Sequence, residues 1–222
     1  MSIFDPLIEL FERTRPHKPT LIVGLGNPGD EYRDTRHNIG WMLLEYLRGQ
    51  HQFPVFEKSK EIQGYITDGY IEEQHVVLVQ PHTFMNLSGK AVQRLLGRKS
   101  DPSHLIVVHD DIDLPIGVVR VSSGRGAGGH RGVTSIVKSL GTPLFTRVRI
   151  GIAPVNASGV IAKPRGRDRV ARFVLGPFSS EESAALDEGL LKAAQAVRVV
   201  LKDGVVAAMN EYNERIHTPD SD

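Results

Sequence analysis

Short apolar runs separated by polar turns predict a sheet at the centre of this fold. The runs at 20–24 and 105–109 are almost wholly apolar, which is typical of strands buried on both faces. Two further runs flank 68-DGYIEEQ-74, and this pattern predicts a hairpin. The predicted strands are 20–24, 54–57, 61–68, 75–80, 105–109, 117–122 and 146–152.

Helical patterns follow several of these strands. Thr35 is a candidate N-cap for one helix, and Asn86 or Ser88 for another. Asp5 is a candidate cap for an additional helix near the start of the chain. The segment 153–169 has no regular pattern and is predicted to be an irregular basic loop. The predicted helices are 5–14, 36–49, 88–97, 132–140, 181–202 and 204–216.

Alternation of strands and helices predicts an α/β protein with a mixed sheet covered on both faces. The 222 residues show no repeat, low-complexity tract or linker that would divide the chain. We therefore expect one domain at 20–216, preceded by an N-terminal extension at 1–19 and followed by a flexible tail at 217–222.

The charge of the chain is distributed unevenly. Between Leu114 and Arg172 there are eleven Lys or Arg and a single acid, Asp168, so this segment carries +10 and the rest −9, against +1 overall. The excess indicates a surface that binds a polyanion. The alternative is a set of scattered solvated charges that fold back beside the acidic parts.

The absence of cysteine excludes disulfides, thiolate metal sites and a cysteine nucleophile, and it fits a reducing compartment. The first twenty residues contain Asp5, Glu9 and Glu12 and no long apolar block, which argues against a signal or transit peptide. No apolar run approaches the roughly 18 residues of a membrane span. We expect a cytoplasmic protein.

The stretch 24-GLGNPG-29 has the spacing of a dinucleotide-binding fingerprint. That site requires the third glycine to lead directly into a helix, but here Pro28 precedes Gly29 and polar residues with two acids follow. The alternative interpretation is a turn that passes close to a ligand, with the side-chain amide of Asn27 facing it.

Two segments could supply acid–base chemistry. His37 lies at a predicted helix start, which disfavours a charged imidazole and therefore favours a neutral one that is free to act as a base. The acids of 109-HDDID-113 follow the most apolar strand, at the sheet edge where ligands bind. One of these carboxylates could orient a histidine; a Mg²⁺ site and a solvated turn are the alternatives.

Two further motifs have both structural and functional interpretations. In 83-TFMNLSGKAV-92, Phe84 and Met85 could form an apolar wall beside the amide of Asn86, or simply precede a helix cap. The glycine-rich 124-GRGAGGHRG-132 opens a helix beside Arg125 and Arg131, which suits either a phosphate contact or a flexible turn.

Taken together, the motifs resemble the bacterial-type peptidyl-tRNA hydrolase family. The resemblance rests on 23-VGLGNPGDEYRDTRHNIG-40, 83-TFMNLSGKAV-92, 109-HDDIDLPIG-117, 128-GGHRG-132 and 148-VRIGI-152, in this order. It implies a monomeric single-domain three-layer α/β/α sandwich with a mixed, mostly parallel sheet. It also implies hydrolysis of the ester between a peptide and the 3′ end of tRNA, recycling peptidyl-tRNA from stalled translation without metal or cofactor.

The resemblance also implies roles for individual residues. His37 matches the catalytic base, Asp110 the acid that orients it, and Asn27 the amide that distinguishes blocked from free aminoacyl-tRNA. Arg149 matches a contact to tRNA phosphate, and the basic 114–172 segment would meet the acceptor stem. The residues that match the substrate-binding site are Tyr32, Phe84, Met85, Asn86, His130 and Arg131.

The chain departs from the family pattern at two positions. Arg131 stands where members commonly have Asn, and Ser122 where they often have Lys, with Arg120 and Arg125 as candidate substitutes. The segment 153–172, where the family has a mobile lid, is unusually basic. These departures keep a non-catalytic RNA-binding protein on the same fold as the alternative to an enzyme. A nucleotide-dependent oxidoreductase is a more remote alternative.

Overall fold

The computed structural model describes residues 18–97, 101–156 and 160–213, which form a seven-stranded sheet with helices on both faces. The strands are β1 Thr20–Gly24, β2 Glu57–Ser59, β3 Gly64–Ile71, β4 Gln74–Pro81, β5 Leu105–Pro115, β6 Val119–Ser123 and β7 Thr146–Ala153. Their spatial order is β2-β3-β4-β1-β5-β7-β6. β1 pairs in parallel with β4 and β5, and β5 with β7, while β3 and β6 run antiparallel to their neighbours.

Five α-helices connect or follow these strands within the described residues. They are α1 Ile39–Gln50, α2 Ser88–Leu96, α3 Arg131–Leu140, α4 Arg167–Val174 and α5 Ser183–Tyr212. α5 is interrupted at Gly204, whose φ of 87° and ψ of 169° are not helical, so it consists of two helices as predicted. No helix among the described residues has the length and hydropathy needed to cross a membrane.

The alternating side chains of the central strands divide the core between the two faces of the sheet. Ile22 and Val108 pack on one face against α1 and α5, and Val23 and Val107 on the other against α2 and α3. The result is a three-layer α/β/α sandwich with a mixed sheet, in which the four adjacent strands β4, β1, β5 and β7 run parallel, and this confirms the predicted fold class.

Several strand and helix boundaries differ from the predicted ones. The strand expected at 54–57 forms at Glu57–Ser59. β5 continues to Pro115 instead of ending at residue 109, because Asp110 and Asp111 still pair with β7. α4 begins at Arg167, within the segment 153–169 that was predicted to be irregular, and continues to Val174, where no helix was predicted.

The N-caps predicted within the described residues are wrong. Thr35 precedes a 3₁₀ turn, Arg36–Asn38, and its hydroxyl donates to the Tyr32 carbonyl instead of capping. Neither Asn86 nor Ser88 caps α2, since the Ser88 hydroxyl donates to the Met85 carbonyl. The predicted helix at 5–14 and the tail at 217–222 lie outside the described residues, and so does the end of the helix predicted at 204–216.

Close packing between two glycines fixes the start of α1 against the sheet. A Cβ on Gly24 would lie 2.4 Å from the Gly40 carbonyl oxygen, and a Cβ on Gly40 would lie 2.7 Å from the Val108 carbonyl oxygen. Only glycine permits this approach of helix and strand backbones. It brings the turn that carries His37 directly over the carboxyl ends of β1 and β5.

Candidate active site

One cavity at the carboxyl edge of the parallel strands collects every residue that the sequence predicted for the site. Its volume is about 820 Å³. Ligands of open α/β sheets bind at this edge. The predicted residues that line it are Asn27, Tyr32, His37, Phe84, Met85, Asn86, Asp110, His130, Arg131 and Arg149.

The carboxylate of Asp110 joins two histidines. Nδ1 of His37 lies 2.7 Å from Oδ1 of Asp110, and Nε2 of His130 lies 2.8 Å from the same oxygen. Since a carboxylate oxygen accepts, both ring nitrogens donate. The hydrogen-bond network thus assigns His37 the tautomer with the proton on Nδ1, which leaves a lone pair on Nε2.

The electrostatics of this cluster keep Asp110 ionised. Burial alone would raise the pKa of the Asp110 carboxyl, but the charges and hydrogen bonds of His37 and His130 outweigh burial and hold this pKa well below its usual value.

A third histidine lies behind this pair. His109 donates through Nδ1 to the backbone carbonyl of Asp110 at 2.7 Å, and its ring centroid is 4.7 Å from that of His130. Burial, followed by the charge of His130, lowers the pKa of His109 well below 6.5. His109 is therefore a neutral ring at pH 7, which adds no positive charge to the cluster.

Asn27 is held rigidly by its neighbours. Its Oδ1 accepts from the backbone N–H of Met85 at 2.9 Å. Its backbone N–H donates to Oδ1 of Asn38 at 2.8 Å, and Nδ2 of Asn38 donates to its carbonyl at 3.0 Å. Because the acceptor oxygen of Asn27 is already bonded, its Nδ2 group is the part left to donate to a ligand.

The apolar wall expected around Phe84 forms beside Asn27. Phe84 is 57% exposed, Met85 is buried, and Asn86 is exposed at the cavity edge. All three follow the end of β4, so the strand and the bond from Met85 to Asn27 fix their position.

The cavity also has a cationic rim, formed by Arg125, Arg131, Arg149 and Lys163. Nε of Arg149 donates to Oδ2 of Asp111 at 2.6 Å, and Lys163 pairs with Asp113. Arg147 is buried and donates to the carbonyls of Arg125 and Gly126, which anchors the glycine-rich loop.

The two departures from the family pattern fall in different places. Arg131 is exposed on the cavity rim as the first residue of α3. Of the candidate substitutes for the missing lysine, Arg125 lines the cavity. Arg120 instead donates to the Tyr212 carbonyl at 2.6 Å, on the α5 side of the sheet, and it does not line the cavity.

The geometry of the cluster fits hydrogen bonding better than metal binding. His37, Asp110 and His130 each offer a ligand atom, and these atoms lie within 4.8 Å of one another. Their N···O distances of 2.7 and 2.8 Å are shorter than the ~3.3 Å between ligands of a tetrahedral ion with 2.0 Å bonds. Of the three acids of 109-HDDID-113 considered for Mg²⁺, Asp110 is bonded to His37 and His130, Asp111 is paired with Arg149, and Asp113 is paired with Lys163.

The dinucleotide interpretation of 24-GLGNPG-29 has no support in the structure. Gly29 precedes a 3₁₀ turn at Asp30–Tyr32, and α1 begins only at Ile39. A dinucleotide site requires an α-helix that begins at the third glycine, and no α-helix begins there.

Two structural partners of the site were missed by sequence reasoning. Asn38 is fully buried and braces Asn27, and His109 supports the backbone of Asp110. His130 was predicted as a substrate-binding residue, but its bond to the Asp110 oxygen was not. Asn38 and His109 lie next to predicted residues, but only the fold reveals which side chains they contact.

Several known proteins with similar sequences and structures belong to one family. A family model described as peptidyl-tRNA hydrolase matches residues 21–220. The peptidyl-tRNA hydrolase of Thermodesulfovibrio yellowstonii is 40% identical over 196 residues, covering 87% of this chain and 98% of the relative. That of Chloroflexus aggregans is 45% identical over 195 residues, with 87% and 98% covered.

The crystal structure of peptidyl-tRNA hydrolase from Acinetobacter baumannii matches with a TM-score of 0.78 and 35% identity, covering 88% of this chain and 94% of that one. The resemblance inferred from the motifs is thus confirmed over nearly the whole chain. The chain belongs to the peptidyl-tRNA hydrolase family.

Proposed function

We propose that this protein hydrolyses the ester bond between a peptide, or an N-blocked amino acid, and the 3′ end of tRNA. The observation that carries the proposal is the bond from His37 to Asp110 beside the donor amide of Asn27, within one cavity. Membership of the family supports the same reaction. No comparable observation favours a non-catalytic RNA-binding protein.

In the proposed mechanism, His37 acts as a general base. The lone pair on its Nε2 takes a proton from water, and the hydroxide attacks the ester carbonyl to form a tetrahedral intermediate. Asp110 stabilises the imidazolium that results. When the intermediate collapses, His37 returns the proton to the departing ribose oxygen, which frees tRNA and a carboxylic acid.

Asn27 is proposed to bind the acyl part of the substrate. Its Nδ2 group donates to a carbonyl oxygen, and its fixed orientation requires no rearrangement as charge develops there. A free aminoacyl-tRNA has an ammonium group in place of the first peptide linkage, and an amide donor does not favour a cation. This contrast gives a physical basis for preferring blocked substrates.

The cationic rim is proposed to bind the tRNA backbone near the acceptor stem. Arg125, Arg131, Arg149 and Lys163 form this rim. Contacts of this kind release counterions, so binding weakens as salt increases. A monomer acting in the cytoplasm completes the proposal, in keeping with the cysteine-free sequence.

The proposal is tested by incubating the protein with N-acetyl-aminoacyl-tRNA and with the unblocked aminoacyl-tRNA. We expect multiple turnovers on the blocked substrate and much slower release from the free one. Equal rates on both would contradict the role given to Asn27. Firm tRNA binding without hydrolysis of either substrate would contradict the proposed enzymatic function.

A further inference from the structure

Arg36, the residue before His37, occupies a buried aromatic pocket. Its guanidinium carbon lies 4.6 Å from the centroid of the Phe173 ring and 4.8 Å from that of Phe178. Two of its nitrogens donate to the two carboxylate oxygens of Glu182, at 3.0 and 2.8 Å. A planar guanidinium can make both kinds of contact together, whereas an ammonium cannot.

The same pocket fastens the segment after α4 to the turn that carries His37. The backbone N–H of Arg36 donates to the Gly176 carbonyl at 3.0 Å, and Thr35 forms a β-bridge with Pro177. Glu182 also accepts from the backbone N–H of Ser179 at 2.7 Å. The chain from α4 to α5 is thus tied to the 3₁₀ turn through both side-chain and backbone contacts.

α4 itself presents two different faces. Val170, Ala171 and Val174 line the cavity, while Arg169 and Arg172 are exposed. Before the helix, Gly166 has a φ of 90°, which only glycine adopts readily. On the N-terminal side of this glycine, Lys163 forms a partly exposed ion pair with Asp113. This pair is a weaker anchor for the segment than the buried Arg36 pocket.

We propose that Arg36 is a positioning residue that holds α4 over the cavity, so that the arginines of α4 meet the tRNA while His37 meets the ester. The kinetic part of this inference rests on the proposed function. Its structural part concerns the mobility of α4 and does not depend on activity. Arg36 makes no contact with the substrate in this account.

The mobility of α4 is measured with a nitroxide spin label, for which the cysteine-free chain is well suited. One label is placed at Arg169→Cys on α4, and a reference label at Gln195→Cys on α5, where the side chain is also exposed. In Arg36→Gln we expect the label on α4 to become mobile and the label on α5 to be unchanged. An unchanged line shape at position 169 overturns the proposal.

Kinetics on N-acetyl-aminoacyl-tRNA distinguish a positioning role of Arg36 from a role in fold stability alone. For unlabelled Arg36→Gln we expect KM to rise about five- to tenfold with kcat within about twofold of the unsubstituted protein. A fall in kcat with KM unchanged would show that Arg36 acts through His37, which contradicts the proposal. A lower Tm with KM and label mobility unchanged would leave only a structural role, which also contradicts it.

Two further variants guard against misfolding and non-specific charge effects. Glu182→Gln keeps Arg36 between the rings and should shift KM and mobility in the same direction, by less. Arg198→Gln breaks the exposed pair with Glu72, away from the cavity, and should change neither quantity. If the unsubstituted protein proves inactive, the spin labels alone still test whether Arg36 positions α4.

Discussion

His37 and His130 donate to the same oxygen of Asp110, at 2.7 and 2.8 Å, with their ring centroids 4.9 Å apart. The bond from His130 fixes the orientation of the carboxylate toward His37. His130 also accepts from the backbone N–H of Val133, so the start of α3 and the position of Asp110 are coupled.

Replacement of His130 by Ala should therefore affect both activity and stability. We expect kcat to fall roughly tenfold because Asp110 loses one of the two bonds that orient it. The free energy of unfolding should fall by about 1 kcal/mol because α3 loses its N-cap. Steady-state kinetics and urea unfolding measure the two effects, with exposed His82→Ala as the control. An unchanged kcat would show that His37 alone orients Asp110.

Asp110→Asn should abolish most of the activity while keeping the shape of the site. An amide cannot accept equally from both rings, and its own N–H₂ group favours the wrong tautomer of His37, so we expect kcat to fall about 10³-fold. The rate is measured with N-acetyl-aminoacyl-tRNA, and circular dichroism verifies the fold. A loss below about tenfold would mean that Asp110 has only a structural role.

Asn27→Asp changes one atom of the proposed acyl-binding group. Asp can still accept the Met85 N–H, but it presents an oxygen to the substrate where Asn27 presents a donor. We expect kcat/KM for the blocked substrate to fall by about 10²- to 10³-fold. Asn210→Asp, exposed on α5, adds the same charge and should have little effect. Equal values for the two variants would disprove the role of Asn27.

Arg131→Asn should preserve or raise the hydrolytic rate. Arg131 is exposed on the rim, and Asn at the start of α3 restores a group with both donor and acceptor atoms. tRNA binding should weaken modestly and become less salt-dependent. Lys138→Asn removes an equal charge from the same helix outside the cavity and provides the control. A large loss of rate specific to Arg131→Asn would assign this residue a catalytic function of its own.

The buried His109 should make the fold sensitive to mild acid. Its pKa is lowered in the folded state, mainly by burial, so the unfolded chain binds more protons than the folded one below about pH 6.5. The free energy of unfolding therefore decreases as the pH decreases. Asp110, whose folded pKa is also lowered, adds a further loss only below its ordinary value near 3.8. Thermal unfolding from about pH 7 to pH 5 should show a steeper decrease for the unsubstituted protein than for His109→Asn. Parallel curves would contradict this assignment.

Sequence patterns predicted the layers of the fold because burial leaves a strong local signature. The apolar runs at 20–24 and 105–109 became the central strands β1 and β5. The continuation of β5 past residue 109 was not predicted because the residues there are acidic. This part of the strand is stabilised by pairing with β7 and not by apolar side chains. Likewise, arginines interrupt the apolar face of α4, so its helix had no clear periodicity.

The sequence predicted only those residues of the site that belong to the family motifs. His37 and Asp110 were expected to act together, and the structure brings them into contact. The Arg36 pocket could not be predicted, because Phe173 and Glu182 lie more than a hundred residues away along the chain and only the fold unites them. Long-range contacts of this kind leave no local pattern.

The central claim, that His37 activates water for ester hydrolysis, is tested most directly by comparing the unsubstituted protein with His37→Ala. Release of N-acetyl-amino acid is measured with saturating protein, and the Kd for the same tRNA is measured alongside. We predict a rate about 10³-fold lower for His37→Ala, with the Kd and the fold unchanged. A variant rate within about tenfold of the unsubstituted protein would contradict the claim, and so would an unsubstituted protein that binds the tRNA firmly without releasing the amino acid.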